Sequence, residues 1–149
     1  MSHSFNKIWI HIIWSTKDRV PLIERKIESQ VYEFIHCQFI EMGCPVKIIN
    51  GMPDHMHCLI LLNPVKSIAD IVKQVKGSTA HFINKQNLII NKFSWQTGYA
   101  AFSVSESVLK KVHEYIKNQK QHHLKRIFKQ EYDEFLKLYG FDNDSFNPE

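Results

Sequence analysis

An α+β fold of the ferredoxin-like, split β-α-β kind is what the sequence predicts, on three observations. Short apolar runs rich in β-branched residues alternate with longer stretches of helical periodicity in the order β-α-β-β-α-β. Turn residues sit between them and no long linker separates them. The remaining C-terminal third reads as helix. The expected architecture is an antiparallel sheet with helices on one side and a C-terminal helical extension.

Each element has its own signature. Residues 8–14 are apolar on both faces and interrupted only by His11, as a strand covered on two sides should be. Over residues 24–42, Ile27, Val31, Phe34, Ile35 and Phe39 recur at helical spacing, and Gly43 suits a left-handed C-cap. Residues 46–50 and 55–62 read as two strands joined by the turn Gly51-Met52-Pro53-Asp54. Ser67-Ile68-Ala69-Asp70 is a capping box opening a second helix, with the stripe Ile68, Ile71, Val72, Val75 and Phe82. Residues 93–103 suggest a strand pair, or one strand bent at Gly98. Ser105 or Ser107 caps a third helix over about 105–125, and residues 128–139 form a last, shorter one. An acidic tail, 142–149, follows.

The chain has 149 residues, 44% of them hydrophobic and 23% charged, which suits one compact domain over 1–149. Three cysteines without a C-x-x-C pair point to reduced thiols. Neither an apolar signal core nor a membrane-length run is found, so a cytoplasmic protein is expected. The net charge of +4 permits nucleic-acid binding without requiring it. Between 110 and 129, seven basic side chains face a single acid, Glu114. A run of this kind is most often a solvated helix face.

Two constellations carry chemistry. In His55-Met56-His57 the strand period of two turns both imidazoles to one face and Met56 and Cys58 to the other. Two adjacent imidazoles offer two ligands to a divalent cation and leave open positions for substrate oxygens. Tyr115 and Gln119 are i and i+4 on the third helix and therefore stack on one side, next to the core stripe Leu109, Val112 and Ile116. Taken singly, each pair also suits an ordinary packed histidine or a core-edge tyrosine. Together they describe one site: a cation on His55, His57 and the Gln119 carbonyl polarises a phosphate, and the Tyr115 phenol attacks it. Because the ordinary phenol pKa is near 10, an acceptor for its proton is needed. Glu114, His113 and a metal-bound water are open choices.

Gly51-Met52-Pro53-Asp54-His55-Met56-His57, then Lys76-Gly77, Ser103-Val104-Ser105-Glu106-Ser107 and Tyr115-Ile116-Lys117-Asn118-Gln119 resemble the single-tyrosine HUH transposases of bacterial and archaeal insertion sequences, the insertion-sequence-200-like group. The resemblance implies a DNA transposase that cleaves and transfers single strands through a 5′-phosphotyrosine. It implies Mg or Mn as cofactor, with His55, His57 and Gln119 as ligands and Tyr115 as nucleophile. The implied substrate is single-stranded DNA with hairpins at the element ends. The implied assembly is a homodimer in which the tyrosine helix of one subunit completes the metal site of the other. Two imidazoles by themselves suit Mn, Fe or Zn better than Mg.

Lys73, Lys76, Lys110, Lys111, Lys117 and Lys120 are then candidates to track the DNA backbone, and Trp14 or Trp95 to stack on unpaired bases. The alternatives are a replication-initiator, relaxase or repeat-associated HUH endonuclease, or a ferredoxin-like nucleic-acid-binding module without chemistry. A binding module would want aromatics on an open sheet face. The strand with the two histidines is apolar on both faces and offers no such platform.

Overall fold

The computed structural model describes residues 4–122 and 128–138. Its elements are β1 (Trp9–Ser15), α1 (Arg25–Glu41), β2 (Val46–Met52), β3 (His55–Leu61), α2 (Ile68–Lys85), β4 (Ala100–Val104), α3 (Leu109–Lys117), α4 (Gln119–His122) and α5 (Phe128–Leu138). The strands form one sheet in the order β2-β3-β1-β4, antiparallel throughout, which is the split β-α-β arrangement. The acidic tail, residues 123–125 at the end of the expected third helix, and the 139 end of the last helix lie outside the described residues.

Strand alternation divides the chain's chemistry between the two faces of the sheet. Ile10, Ile12 and Trp14 of β1, with Met56, Cys58 and Ile60 of β3, face α1 and α2 and join Ile27, Val31, Ile35, Phe39, Ile71, Val72, Val75 and Ile83 in the main core. On the other face Ile13, Ala100 and Phe102 meet Leu136 of α5, and Leu59 and Val104 meet Leu109 and Ile116 of α3. This second face carries the histidines, and the C-terminal helices cover it. An open aromatic platform is therefore absent among the described residues.

The caps expected at Gly43 and Ser67 form, whereas neither Ser105 nor Ser107 caps α3: its N-cap is Val108, without a side-chain hydrogen bond, and the two serine hydroxyls bond each other at 2.9 Å. Gly43, at φ 76°, ends α1 in a Schellman pattern: the Cys44 N–H bonds the Phe39 carbonyl and the Gly43 N–H that of Ile40, both at 2.9 Å. The Ser67 hydroxyl accepts from the Asp70 N–H at 3.1 Å.

Two elements depart from expectation. Only residues after Gly98 form strand β4; before it, Trp95 makes an isolated bridge to Thr16, and Gly98 turns the chain at φ 93°. The single helix expected over 105–125 is divided. Glu106–Val108 is a 3-10 turn, α3 ends at Lys117, and Asn118 (φ −95°, ψ 20°) separates it from α4. The Asn50 side-chain amide of β2 donates to the carbonyls of Ile116 at 3.0 Å and Lys117 at 3.2 Å. Those carbonyls thus find partners outside the helix, which removes the need to continue it.

Candidate functional site

β3 positions the two histidines. Met52 pairs with His55 and Asn50 with His57 across β2, and Ile13 of β1 pairs with His57 on the other side. Gly51 makes the close approach possible: a Cβ there would lie 2.2 Å from the His55 carbonyl oxygen. Both imidazoles are fully buried, with ring centres 5.1 Å apart.

Each ring has its Nδ1 engaged from behind, leaving Nε2 to face the site. His55 Nδ1 lies 2.7 Å from Asp54 Oδ1, and His57 Nδ1 lies 2.9 Å from Nε2 of His11. Second partners of this kind orient metal-ligating histidines. Burial, and then the neighbouring His57, push the His11 pKa well down, so His11 is held neutral.

The structure brings together all four residues expected at the centre. The Gln119 carbonyl oxygen lies 3.3 Å from His55 Nε2, and the Tyr115 ring stands 6.1 Å, centre to centre, from that of His57. Tyr115 and Gln119 reach the site from two helices rather than successive turns of one. The resemblance implied that the tyrosine completes the site of a partner subunit; here Tyr115 meets His57 of its own chain.

A fifth residue, not singled out in the sequence, stands at the centre. Glu131 of α5 is 3% exposed. One of its oxygens, Oε1, accepts from the Tyr115 hydroxyl, accepts from Gln119 Nε2 at 2.9 Å, and lies 3.0 Å from His57 Nε2. The other, Oε2, lies 3.8 Å from His55 Nε2. Burial pushes the Glu131 carboxyl up, but the hydrogen bond and charge of His57, with the Tyr115 hydrogen bond, outweigh it and hold the carboxyl below the usual carboxylate range. His113 and Glu114, weighed as partners of the phenol, instead lie 3.9 Å from each other, and the group touching the hydroxyl is Glu131.

The donor set suits a divalent cation. One ligand atom each from His55, His57 and Glu131 falls within 4.8 Å of the others, all three residues being buried, and the Gln119 oxygen adjoins them. Two imidazole nitrogens with oxygen donors are a usual first-row or Mg/Mn set.

The lysines separate into groups. Lys110, Lys111 and Lys117 are exposed on α3. Lys73 is exposed on α2, across the sheet from the histidines. Lys76 turns inward and donates to the Gln96 and Gly98 carbonyls at 2.8 and 2.7 Å. Lys120 donates to Asn50 Oδ1 and the Gly51 carbonyl and pairs with Glu28 at 3.0 Å. The tryptophans, candidates for base stacking, are core: Trp14 is 2% exposed and meets Trp95 edge-on at 5.8 Å, while Trp95 Nε1 donates to the Lys76 carbonyl. Beside the site, a cleft of about 450 Å³ is lined by Ile13, Arg19, Gln96, Gly98, Tyr99 and Tyr132 among others.

Known proteins resemble this chain in sequence and in fold. The chain is 27% identical over 114 residues to the ISDra2 transposase TnpA of Deinococcus radiodurans, covering 73% of this chain and 81% of that protein. In fold it resembles the crystal structure of a candidate transposase from Deinococcus radiodurans R1, with a TM-score of 0.65, 24% identity, and coverage of 80% of this chain and 95% of that one. It also resembles a REP-associated tyrosine transposase solved with a REP hairpin, with a TM-score of 0.59, 11% identity, and coverage of 99% and 92%. The family model for IS200-like transposases matches residues 4–119. The chain belongs to the IS200-like transposase family.

Proposed function

We propose that this transposase cleaves and rejoins single-stranded DNA with Tyr115 as nucleophile at a divalent metal held by His55, His57 and Gln119. The observation that carries the proposal is the meeting of the Tyr115 phenol with the paired imidazoles and the Gln119 amide in one buried site. Mg or Mn is the proposed ion; when bound, it polarises the scissile phosphate and offsets charge developing on its oxygens. The Tyr115 oxygen forms a bond to phosphorus, and the bond from phosphorus to the 3′ oxygen breaks. The phenolic hydrogen leaves along its hydrogen bond, and the departing oxygen is protonated to a free 3′-hydroxyl. A 5′-phosphotyrosine remains, which a second 3′-hydroxyl can attack, so strands exchange without an external energy source.

The substrate we propose is a single-stranded element end carrying a hairpin, in line with the hairpin bound by the REP-associated transposase. Exposed Lys110, Lys111 and Lys117 on the helix bearing Tyr115 suit a phosphate backbone. The cleft lined by Arg19, Tyr99 and Tyr132 suits unpaired nucleotides. A homodimer in the cytoplasm is part of the proposal. Among the described residues no helix is long and apolar enough to cross a membrane.

The test is incubation with single-stranded oligonucleotides bearing the ends of the protein's own element, with Mg or Mn, followed by a denaturing gel. A protein–DNA adduct is expected, absent with EDTA and in Tyr115→Phe. Adduct formation by Tyr115→Phe reassigns the nucleophile.

A further inference from the structure

We infer that Glu131 is the charged ligand of the metal site and that, through the same carboxylate, it ties the Tyr115 nucleophile to the metal. The inference rests on the metal site proposed above and adds to it a residue beyond the 4–119 stretch that the family model matches.

Four groups converge on this carboxylate: both imidazole Nε2 atoms, the Gln119 amide and the Tyr115 hydroxyl. With 3% exposure, this carboxylate is aimed at the same two Nε2 atoms that would hold a cation, and buried carboxylates are either paired or coordinate metals. Two imidazoles and an amide are all neutral ligands and offset none of a dication's charge. Glu131 adds one negative charge and a hard oxygen donor, which shifts the donor set toward Mg and Mn. Because Oε1 also accepts from the Tyr115 hydroxyl, the carboxylate that would hold the metal also holds the nucleophile. The chain places Glu131 by packing Leu136, one helical turn and a residue further along α5, against Ile13 and Phe102 beneath the site.

A purely structural carboxylate would have a different signature. It would brace the two histidines in the metal-free protein, and its loss would lower stability without a selective loss of metal affinity. The experiment is a titration of the full chain with Mn²⁺, following the signal of free Mn²⁺ by electron paramagnetic resonance. The proteins are the unaltered chain, E131Q, E131D, Y115F and H57A, each checked for folding by circular dichroism.

The proposal expects E131Q to weaken Mn²⁺ binding by at least about tenfold, a loss that even outer-sphere partners can produce. It expects E131D, which keeps the charge, to bind more tightly than E131Q, and Y115F to retain affinity. E131Q binding as well as the unaltered chain, while H57A loses affinity, overturns the role of Glu131 and leaves the proposed function standing. Equal losses in E131Q and E131D assign the effect to packing and also overturn it. No Mn²⁺ binding by the unaltered chain overturns both readings.

Discussion

His57 presents its Nδ1 to Nε2 of His11 at 2.9 Å, so a histidine on the neighbouring strand determines which nitrogen of His57 faces the site. For His57 Nε2 to offer a lone pair, its Nδ1 must carry the hydrogen and donate to His11, which burial keeps neutral. H11L, which replaces the imidazole by an apolar side chain of similar bulk, should therefore weaken Mn²⁺ binding by about 10- to 100-fold. Its thermal unfolding should change far less than its affinity. Calorimetric titration beside a melting curve checks both, and unchanged affinity would remove His11 from the site.

At Gly51, β2 runs close against β3, and a Cβ there would meet the His55 carbonyl at 2.2 Å. Backbone cannot yield as a flexible side chain can, so G51A should separate β2 from β3 at the histidines. A loss of about 1–3 kcal/mol in stability is expected, the usual scale for overpacking. Urea unfolding measures it, and a fall in DNA-adduct yield larger than the stability loss explains should accompany it.

Asn50 joins the sheet to the tyrosine helix, since its amide holds the Ile116 and Lys117 carbonyls and its oxygen takes Lys120 Nζ. N50A takes one partner from each of the two carbonyls and from the ammonium, which keeps the Gly51 carbonyl and Glu28, at a cost of about 1–3 kcal/mol. It also frees α3 to run on through Asn118, which would move Gln119. Adduct formation should fall, and nuclear magnetic resonance shifts of residues 115–120 should move while those of α1 and α2 stay.

Lys76 gives a stability dependence on pH. Burial lowers its pKa from the ordinary 10.5 to about 8, so the folded chain binds fewer protons than the unfolded one between those values. Stability from this group should rise as pH increases from 8 toward 10.5 and be flat below 8. The half-buried position screens the effect, so the expected rise is small. Denaturant midpoints for the unaltered chain and K76M should differ in slope only in that window, with K76M the flatter.

The fold was legible because periodicity and caps agree: the stripe Ile27, Val31, Ile35 and Phe39 is the buried face of α1, and Gly43 ends it as its φ requires. His55 and His57 were legible because strand alternation puts them on one face whatever the tertiary context. Glu131 was not, because nothing local marks a glutamate in an amphipathic helix; its role comes from how α5 folds back on the sheet. His11 showed only as a polar break in an apolar strand, and its link to His57 lies diagonally across the β1–β3 pairing. The division between α3 and α4 was hidden because its cause, Asn50, is far away in sequence. For Trp14 and Trp95 aromatic character left both base stacking and core packing open, and the structure packs them in the core.

The most direct test of the central claim is to locate the covalent bond. After reaction with a single-stranded element end and Mn²⁺, nuclease trimming and proteolysis followed by mass spectrometry should find a nucleotide attached to the peptide containing Tyr115, with fragmentation placing it on that phenol. Attachment at another residue, such as Tyr132 beside Glu131, would contradict the account.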